Sequence, residues 1–294
     1  MTFSGQALLV TDARNKALLP LVIRGLYSLC GVTDIVIIRP LHEASAFRVL
    51  EDTYPRVTFL SDSDVLTFDA KDIAHYGVPN FPKRAGWFFQ QFLKLGFSSH
   101  PIAKQNYLVW DADTVPLSSM EFCSNEKVIF THGLEFFSEY FETIEDIFGF
   151  KSVFPCSVIS QHSLFDKTII TQMFAHVTAR LDSSSFYESV LTSCARRQSA
   201  FFSEYEVYAA FFAHCRPTGY RCDRRRWFRN AAALSGIPPS GLWLSYFARF
   251  FDYAAFESWD KGFVRTIKSV VKLTWAVLLP KASGLHWNSR HKHK

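Results

Sequence analysis

Short apolar runs alternate with helical patterns along the first half of the chain. Runs of apolar and β-branched residues predict strands over 6–11, 33–40, 56–60, 106–110 and 127–132. Between the first two, residues 16–31 have the apolar spacing of a helix, with Gly31 as its stop. Strands that are apolar throughout are typical of a parallel sheet covered by helices on both faces. The pattern therefore predicts an α/β fold with a mixed, mostly parallel sheet.

Three aspartates come directly after two of these predicted strands. Asp12 follows the first, and Asp111 and Asp113 follow 106–110. Ligands of parallel α/β sheets bind at the carboxyl ends of the strands. Residues i and i+2 of an extended segment point to the same side, and two carboxylates about 4 Å apart repel by roughly 4 kcal/mol. A divalent Mg²⁺ or Mn²⁺ ion would relieve this repulsion and bind a substrate diphosphate. Alternatively, both aspartates only shape the turn before Pro116.

An amphipathic helix is predicted over residues 83–97, just before the aspartates. One side of this helix is apolar and suits the core. The opposite stripe consists of Trp87, Gln90, Gln91 and Lys94. Amide and ammonium groups on one stripe can donate hydrogen bonds to a polar ligand and neutralise phosphate. The alternative is an ordinary surface stripe.

The composition indicates a globular protein, with one large domain or one domain and an appendage. The chain has 294 residues, of which 48% are hydrophobic and 16% aromatic, and this aromatic share suggests apolar surface that meets a membrane or a partner. Six cysteines without C-x-x-C spacing are interpreted as buried thiols. The N-terminal segment has neither the pattern of a signal peptide nor that of a membrane-spanning helix, so we expect a cytoplasmic protein.

The net charge of +5 arises near the C-terminus. Residues 261–294 contain eight Lys or Arg and no acidic residue, which leaves 1–260 with a net charge of −3. A nucleic-acid partner is therefore not expected, since it would require a basic patch on the folded body. Residues 262–280 predict a basic amphipathic helix that binds anionic lipid at the inner face of the cell membrane. The alternative is a helix packed on the core, followed by a basic tail.

The segment SEYE (203–206) predicts the start of a helix through a capping box, with Ser203 at the N-cap and Glu206 at N3. Glu204 is not needed for this cap. It either stabilises the helix dipole or polarises an acceptor hydroxyl as a general base. Farther along, the arginine-rich segment 216–230 predicts either a phosphate clamp or a solvated loop.

Four motifs occur in the order seen in GT-A-type, nucleotide-sugar-dependent glycosyltransferases, especially in a bacterial group of them. The motifs are GWFFQQFLKL, YLVWDADTVPL, SVISQHSLFDK and FSEYEVYAAFF. The resemblance spans about residues 5–230. It implies a Rossmann-like nucleotide-binding core in which a D-x-D motif coordinates Mn²⁺ or Mg²⁺ on the donor diphosphate.

The resemblance also implies roles on the donor side. Asp113 resembles the principal metal ligand, and Asp111 a contact to both ribose and metal. Thr11 and Asp12 resemble part of the nucleobase and ribose pocket. His286 offers a third metal ligand. The polar stripe before the aspartates supplies further donor contacts: Trp87, Gln90, Gln91 and Lys94.

On the acceptor side, Glu204 resembles a residue of the sugar site and would be the general base of an inverting enzyme. His162 lies, by resemblance, beside the acceptor cleft. Together these features predict a metal-dependent hexosyl- or pentosyltransferase, with a catalytic domain at 1–235 and a helical extension at 236–294. We expect a glycan or lipid-linked acceptor in bacterial surface polysaccharide or lipopolysaccharide synthesis.

Two alternatives belong to other classes. An apolar strand that ends in D-x-D-T is also the nucleophile motif of haloacid-dehalogenase-like phosphatases, in which Asp111 would attack phosphorus and Asp113 would be the acid/base. That motif normally opens its fold, whereas several strands precede it here. The second alternative is a non-catalytic sugar-binding protein.

Overall fold

The computed structural model describes residues 3–76 and 81–258, together with 269–270 and 273–274. The strands are β1 (Gly5–Val10), β2 (Val32–Arg39), β3 (Val57–Ser61), β4 (Asn106–Trp110), β5 (Thr114–Pro116), β6 (Cys123–Ser124), β7 (Lys127–Thr131), β8 (His162–Asp166), β9 (Tyr220–Asp223), β10 (Trp227–Phe228) and β11 (Tyr253–Ala255). The helices are α1 (Leu19–Leu29), α2 (Ala44–Thr53), α3 (Ala70–Ala74), α4 (Phe81–Gly96), α5 (Ser138–Phe148), α6 (Lys167–Leu181), α7 (Phe186–Arg197), α8 (Glu204–Cys215), α9 (Ala232–Ser235) and α10 (Gly241–Ala248).

A five-stranded sheet in the order β3-β2-β1-β4-β8 forms the centre of the fold. Its first four strands are parallel, and β8 runs antiparallel to β4. Leu8 on β1 lies opposite Val36 on β2 and Val109 on β4. The predicted mixed, mostly parallel α/β sheet is therefore confirmed.

Each face of the central sheet supports its own apolar core, because neighbouring residues of a strand point to opposite faces. Leu9 and Leu108 pack with α1 and α2 on one face, whereas Leu8 and Val109 pack with α4, α6 and α8 on the other. Coverage on both faces explains the buried apolar runs 7–10 in β1, 35–38 in β2 and 107–110 in β4.

Two smaller sheets flank this centre. The predicted strand at 127–132 is present as β7, but it pairs with β6 and β9 and does not join the central sheet. Its apolar sequence suits either position, because an apolar run indicates burial and not a pairing partner. The other small sheet has the order β10-β11-β5.

Helix α1 lies tightly against the segment that follows the two aspartates. A Cβ atom on Gly25 would lie 2.8 Å from Cδ of Pro116, so only glycine permits this approach. The helix ends as predicted, with Gly31 at φ +66° in the left-handed region that glycine adopts without strain.

The later part of the chain also contacts the core. β11 pairs with β5 through Tyr253 and Pro116, and Tyr253 is buried in the same apolar cluster as Trp110. The division predicted at residue 235 stays a prediction, but these contacts join residues 253–256 to the preceding part of the chain. Within the described residues, no helix has both the length and the apolar character needed to span a membrane.

Candidate active site

The two aspartates form a turn at the carboxyl end of β4, and main-chain hydrogen bonds fix it on two sides. The amide of Asp111 donates to the carbonyl of Gln161 at 2.8 Å, just before β8. The carbonyl of Asp113 accepts a hydrogen bond of 2.7 Å from the amide of Phe256, just after β11. The turn is therefore held between two separate sheets.

The buried ammonium group of Lys94 lies next to this turn. Nζ of Lys94 is 2.5 Å from Oδ1 of Asp111 and 2.6 Å from Oε1 of Glu204. The phenol of Tyr205 donates to the same Oδ1 at 2.7 Å. Burial opposes the charge of Lys94, but Asp111 and Glu204 outweigh it and raise the pKa of Lys94 above its ordinary value. The four side chains therefore form one connected polar network.

Two residues of the predicted polar stripe on α4, Gln91 and Lys94, belong to this network. Gln91 and Lys94 are 1% and 3% exposed. Oε1 of Gln91 accepts a hydrogen bond of 3.0 Å from the amide of Glu204. Direct contact of Lys94 and Gln91 with a donor phosphate stays a prediction, and their burial and their bonds to Asp111 and Glu204 count against it. Gln90 and Trp87 keep partly exposed side chains and stay candidates for donor contact.

Asp113 differs from its neighbour. Within residues 3–76 and 81–258 its carboxyl group forms no ion pair, and it accepts a hydrogen bond of 3.3 Å from the hydroxyl of Thr114. Burial and the charge of Asp111 raise the pKa of Asp113 to about 7, against the opposite effect of Lys94. The negative charge of Asp113 is therefore less stable in the protein than in water.

Only one of the two hydrogen bonds of the predicted capping box forms at the start of α8. Oγ of Ser203 accepts the amide hydrogen of Glu206, at 3.5 Å. The carboxylate of Glu206 accepts from the amide of Val158 at 3.1 Å, so it bonds outside its own helix.

Glu204 is 3% exposed, and burial and Asp111 raise its pKa. Burial and pairing with Lys94 count against Glu204 as a general base, which must contact the acceptor hydroxyl.

His162 begins β8 inside an aromatic cluster. Its ring stacks on Trp110 at 5.1 Å, and Phe122 and Tyr253 lie edge-on to it. Burial and the nearby charge of Arg225 lower the pKa of His162 to about 3. A neutral ring enclosed in this way, 3% exposed, is not open to an acceptor. The placement of His162 therefore counts against its predicted catalytic role.

Thr11 and Asp12 lie at the same edge as the aspartate pair, because β1 and β4 are parallel neighbours. Thr11 is 7% exposed, and its hydroxyl donates to the carbonyl of Asp12 at 3.2 Å. The carboxylate of Asp12 accepts from the amide of Arg14 at 3.0 Å and pairs with its guanidinium at 2.5 Å. Sequence reasoning missed Arg14. The sequence signal for Arg14 was its position two residues after Asp12, which ends the first predicted strand.

A divalent cation fits the residues at this edge. The ammonium of Lys94 pairs with Asp111 and Glu204, whereas Asp113 forms no ion pair among the described residues and only feels the charge of Lys94. Within the described part of the chain, Oδ2 of Asp111 receives no hydrogen bond. Mg²⁺ and Mn²⁺ sites commonly use one or two carboxylates and complete the shell with phosphate and water. A cluster of three or more candidate ligands is not present among the described residues, and His286 lies outside them.

Four of the six arginines in the predicted clamp form ion pairs within the protein. The pairs are Arg216–Asp166, Arg221–Asp223, Arg226–Asp252 and Arg229–Glu257, at 3.0–3.4 Å. Arginines that neutralise carboxylates of their own chain form a structural network. The phosphate clamp at 216–230 stays a prediction, and these pairs favour a structural role for the four arginines.

An exposed aromatic loop between β7 and α5 was also missed. Leu134, Phe136 and Phe137 are 56%, 58% and 42% exposed. Phe137 contacts Phe201 at 5.9 Å, and Phe201 is close in sequence to Glu204. Tyr140, on α5, also contacts the ring of Phe201, at 5.3 Å. The loop therefore lies on the α8 side of the candidate site, and its signal was the apolar sequence LEFF between a strand and a helix.

Two shallow clefts lie away from this edge. One of about 490 Å³ is at the amino ends of β1 and β4, and one of about 320 Å³ lies between α6 and α7. Neither contains the aspartate pair. We place the candidate site at the carboxyl edge because the unbalanced carboxyl groups lie there.

No protein-family model and no curated protein matches the sequence. Among solved structures, mouse xyloside xylosyltransferase 1 is similar at a TM-score of 0.48 and 8% identity, over 89% of this chain and 100% of its own. Galactosyltransferase LgtC, solved with donor and acceptor sugar analogs, gives 0.45 and 11%, over 95% and 97%. Glycosyltransferase GlyE of Streptococcus pneumoniae gives 0.41 and 9%, over 96% and 63%. At TM-scores below 0.5, these likenesses do not assign a function to this chain.

Proposed function

We propose that this protein is a metal-dependent glycosyltransferase that moves a hexosyl or pentosyl group from a nucleotide sugar to an acceptor hydroxyl. One observation carries the proposal: Asp111 and Asp113 share the carboxyl edge of a parallel sheet, and among the described residues only the buried ammonium of Lys94 pairs with either of them, which leaves their charge unbalanced. Such an edge is the usual ligand site of α/β sheets.

The residues at this edge support two separate roles, metal binding and nucleoside contact. Asp113 and Oδ2 of Asp111 would hold Mn²⁺ or Mg²⁺, which when bound would stabilise the diphosphate leaving group. Thr11 and Asp12 would contact the nucleoside, since they end the strand beside β4. Arg14, whose side chain is 77% exposed, can add a positive charge there.

The exposed aromatic loop supports an acceptor with apolar faces. Sugar rings present C–H faces as well as hydroxyl groups, and aromatic side chains with a polar neighbour suit both. Glu135 lies within the loop, and its carboxylate is 54% exposed and pairs with Arg229 at 2.7 Å. A glycan or a lipid-linked acceptor in bacterial surface polysaccharide synthesis fits this surface. Because Glu204 is buried, we do not assign it the part of the base.

Binding to the inner face of the cell membrane stays part of the proposal. Most of the predicted amphipathic helix at 262–280 lies outside the described residues. Of its described positions, Leu273 is buried in the apolar cluster that contains Trp110, whereas Val270 is 48% exposed. These positions support a helix that is packed on the body at Leu273 and has apolar surface left at Val270.

The phosphatase alternative is less well supported. Its nucleophile would be Asp111, but Oδ1 of Asp111 already binds Lys94 and Tyr205. Three parallel strands also precede the motif. A phosphoenzyme formed from an aryl phosphate would revive this candidate.

Thermal unfolding with nucleoside diphosphates, in the presence and absence of Mn²⁺, tests the proposal. A ligand that binds only the folded protein raises its melting temperature. We expect a rise that depends on both the base and Mn²⁺ in the wild type, and its loss in Asp113→Asn. A rise that is equal in Asp113→Asn, or no rise with UDP, GDP, ADP or CDP, would overturn it.

A further inference from the structure

One oxygen of Asp111 is bound by two donors from separate parts of the chain. Lys94 lies 17 positions before Asp111 on α4, and Tyr205 lies 94 positions after it on α8. Both residues are 3% exposed. A carboxylate on a flexible bond can present either oxygen to a ligand. Two donors on Oδ1 restrict that choice, and among the described residues no hydrogen bond is made to Oδ2 of this side chain, which is 21% exposed.

The two donors are themselves fixed by their surroundings. Lys94 contacts the ring of Tyr205 at 4.7 Å and its hydroxyl at 3.3 Å. Glu204 binds the same ammonium at 2.6 Å, and its amide donates to Gln91. The orientation of Asp111 is therefore set by the packing of α4 against α8.

We propose that Lys94 and Tyr205 are positioning residues, which hold Asp111 in the orientation in which its Oδ2 binds the divalent cation. This inference rests on the proposed function, because it requires a cation at the aspartate pair. In many metal sites, partners behind the ligands orient them, and removing such a partner lowers metal affinity by about 10–100-fold. Glu204 supports the arrangement by fixing the ammonium.

Tyr205→Phe isolates the hydrogen bond, since it removes one hydroxyl and keeps the ring. Tyr208→Phe is the matched control: Tyr208 is on the same helix, is fully buried, and accepts a hydrogen bond of 2.7 Å from the amide of Asp166. Mn²⁺ alone is titrated into each variant, and the free ion is measured by electron paramagnetic resonance. We expect binding weaker by about tenfold or more in Tyr205→Phe and unchanged in Tyr208→Phe. Both variants are checked by melting temperature.

A second variant separates positioning from charge balance. Lys94→Met combined with Glu204→Gln removes one positive and one negative charge, so the net charge of the site is unchanged. We expect it to bind Mn²⁺ about as weakly as Tyr205→Phe. If it binds like the wild type, the ammonium only balances charge and the inference for Lys94 is wrong.

The outcomes also distinguish this inference from the proposed function. Wild-type binding that Asp113→Asn abolishes and Tyr205→Phe leaves unchanged would overturn the positioning of Asp111 but not the metal site. Absence of Mn²⁺ binding in the folded wild type would overturn both.

Discussion

Lys94 and Glu204 are 110 positions apart in the sequence, yet they form an ion pair of 2.6 Å that is closed to solvent. Lys94 also binds Asp111 at the carboxyl end of β4. The ammonium of Lys94 therefore links α4 to the end of β4 and to the start of α8, next to the aspartate pair. Since charges are costly to bury without a partner, these three elements depend on one another.

Lys94→Met is expected to destabilise the fold strongly, because it leaves Glu204 and Asp111 without their shared cation. Breaking a buried ion pair by removing one partner typically costs about 3–5 kcal/mol. Urea unfolding at pH 7 measures this loss.

Lys104→Met is the control for this change, because Lys104 forms an ion pair with Asp34 at a surface where both side chains are about half exposed. Surface pairs contribute about 0–1 kcal/mol. Equal losses in free energy of unfolding for the two variants would show that the pair at Lys94 is not effectively buried.

The contrast between these two lysines shows what sequence pattern can and cannot predict. The apolar runs predicted the four parallel strands of the central sheet but not its antiparallel strand β8, and they placed the two aspartates at the carboxyl end of β4. The partners of Lys94 could not be predicted, because they come from segments 17 and 110 positions away. A polar stripe on α4 indicates that its side chains have polar partners. The sequence does not show whether those partners are buried carboxylates of the same chain or a bound ligand.

His162 illustrates the same limit. A histidine at the start of a strand has no sequence feature that distinguishes a reactive ring from a packed one. The distinction depends on Trp110 in the neighbouring strand, and on Phe122 and Tyr253 from other segments. Such enclosure is a property of the tertiary structure.

Gly25→Ala is expected to destabilise the protein and weaken the proposed cation site together. The new methyl group would lie 2.8 Å from Cδ of Pro116, a rigid ring three residues after Asp113. Overpacking of this kind typically costs about 1–3 kcal/mol. Urea unfolding and Mn²⁺ titration measure the two effects.

Gly86→Ala provides the comparison, because Gly86 is also helical and a Cβ there would have no atom within 4 Å. Replacing an exposed helical glycine by alanine is expected to stabilise the fold by about 0.5–1 kcal/mol. If both alanines stabilise the protein, α1 is not packed against Pro116 as described.

Glu206→Gln is expected to change how stability depends on pH. Burial raises the pKa of Glu206 from 4.5 to about 7. The contribution of the protonated carboxyl group is fully present below about pH 4.5, falls as the pH rises, and is lost above about pH 7. With about 1.4 kcal/mol per pH unit, the loss is about 3 kcal/mol. Glutamine does not ionise, so the variant should gain stability relative to wild type between pH 5 and pH 8.

Glu145→Gln is the matched control, because Glu145 is an exposed residue of α5. Thermal unfolding of the three proteins from pH 5 to pH 8 compares them. A wild-type curve that runs parallel to that of Glu206→Gln over this range would contradict the burial of an ionisable carboxyl group at α8.

Neutralising the basic tail should release the protein from anionic membranes while leaving the fold intact. The change replaces four basic residues with Gln: Lys281, Arg290, Lys292 and Lys294. Each Lys or Arg near an anionic surface contributes about 1 kcal/mol to binding. Leu273 is kept, because it packs in the core. Sedimentation with vesicles that contain phosphatidylserine measures binding.

The control variant carries the same change in charge on the folded body. It replaces four exposed basic residues with Gln: Lys16, Arg48, Lys71 and Lys151. If the tail anchors the protein, only the tail variant should lose vesicle binding, and added salt should mimic its loss because screening weakens exposed charges. Equal losses in the two variants would mean that net charge, and not the tail, governs association with the membrane.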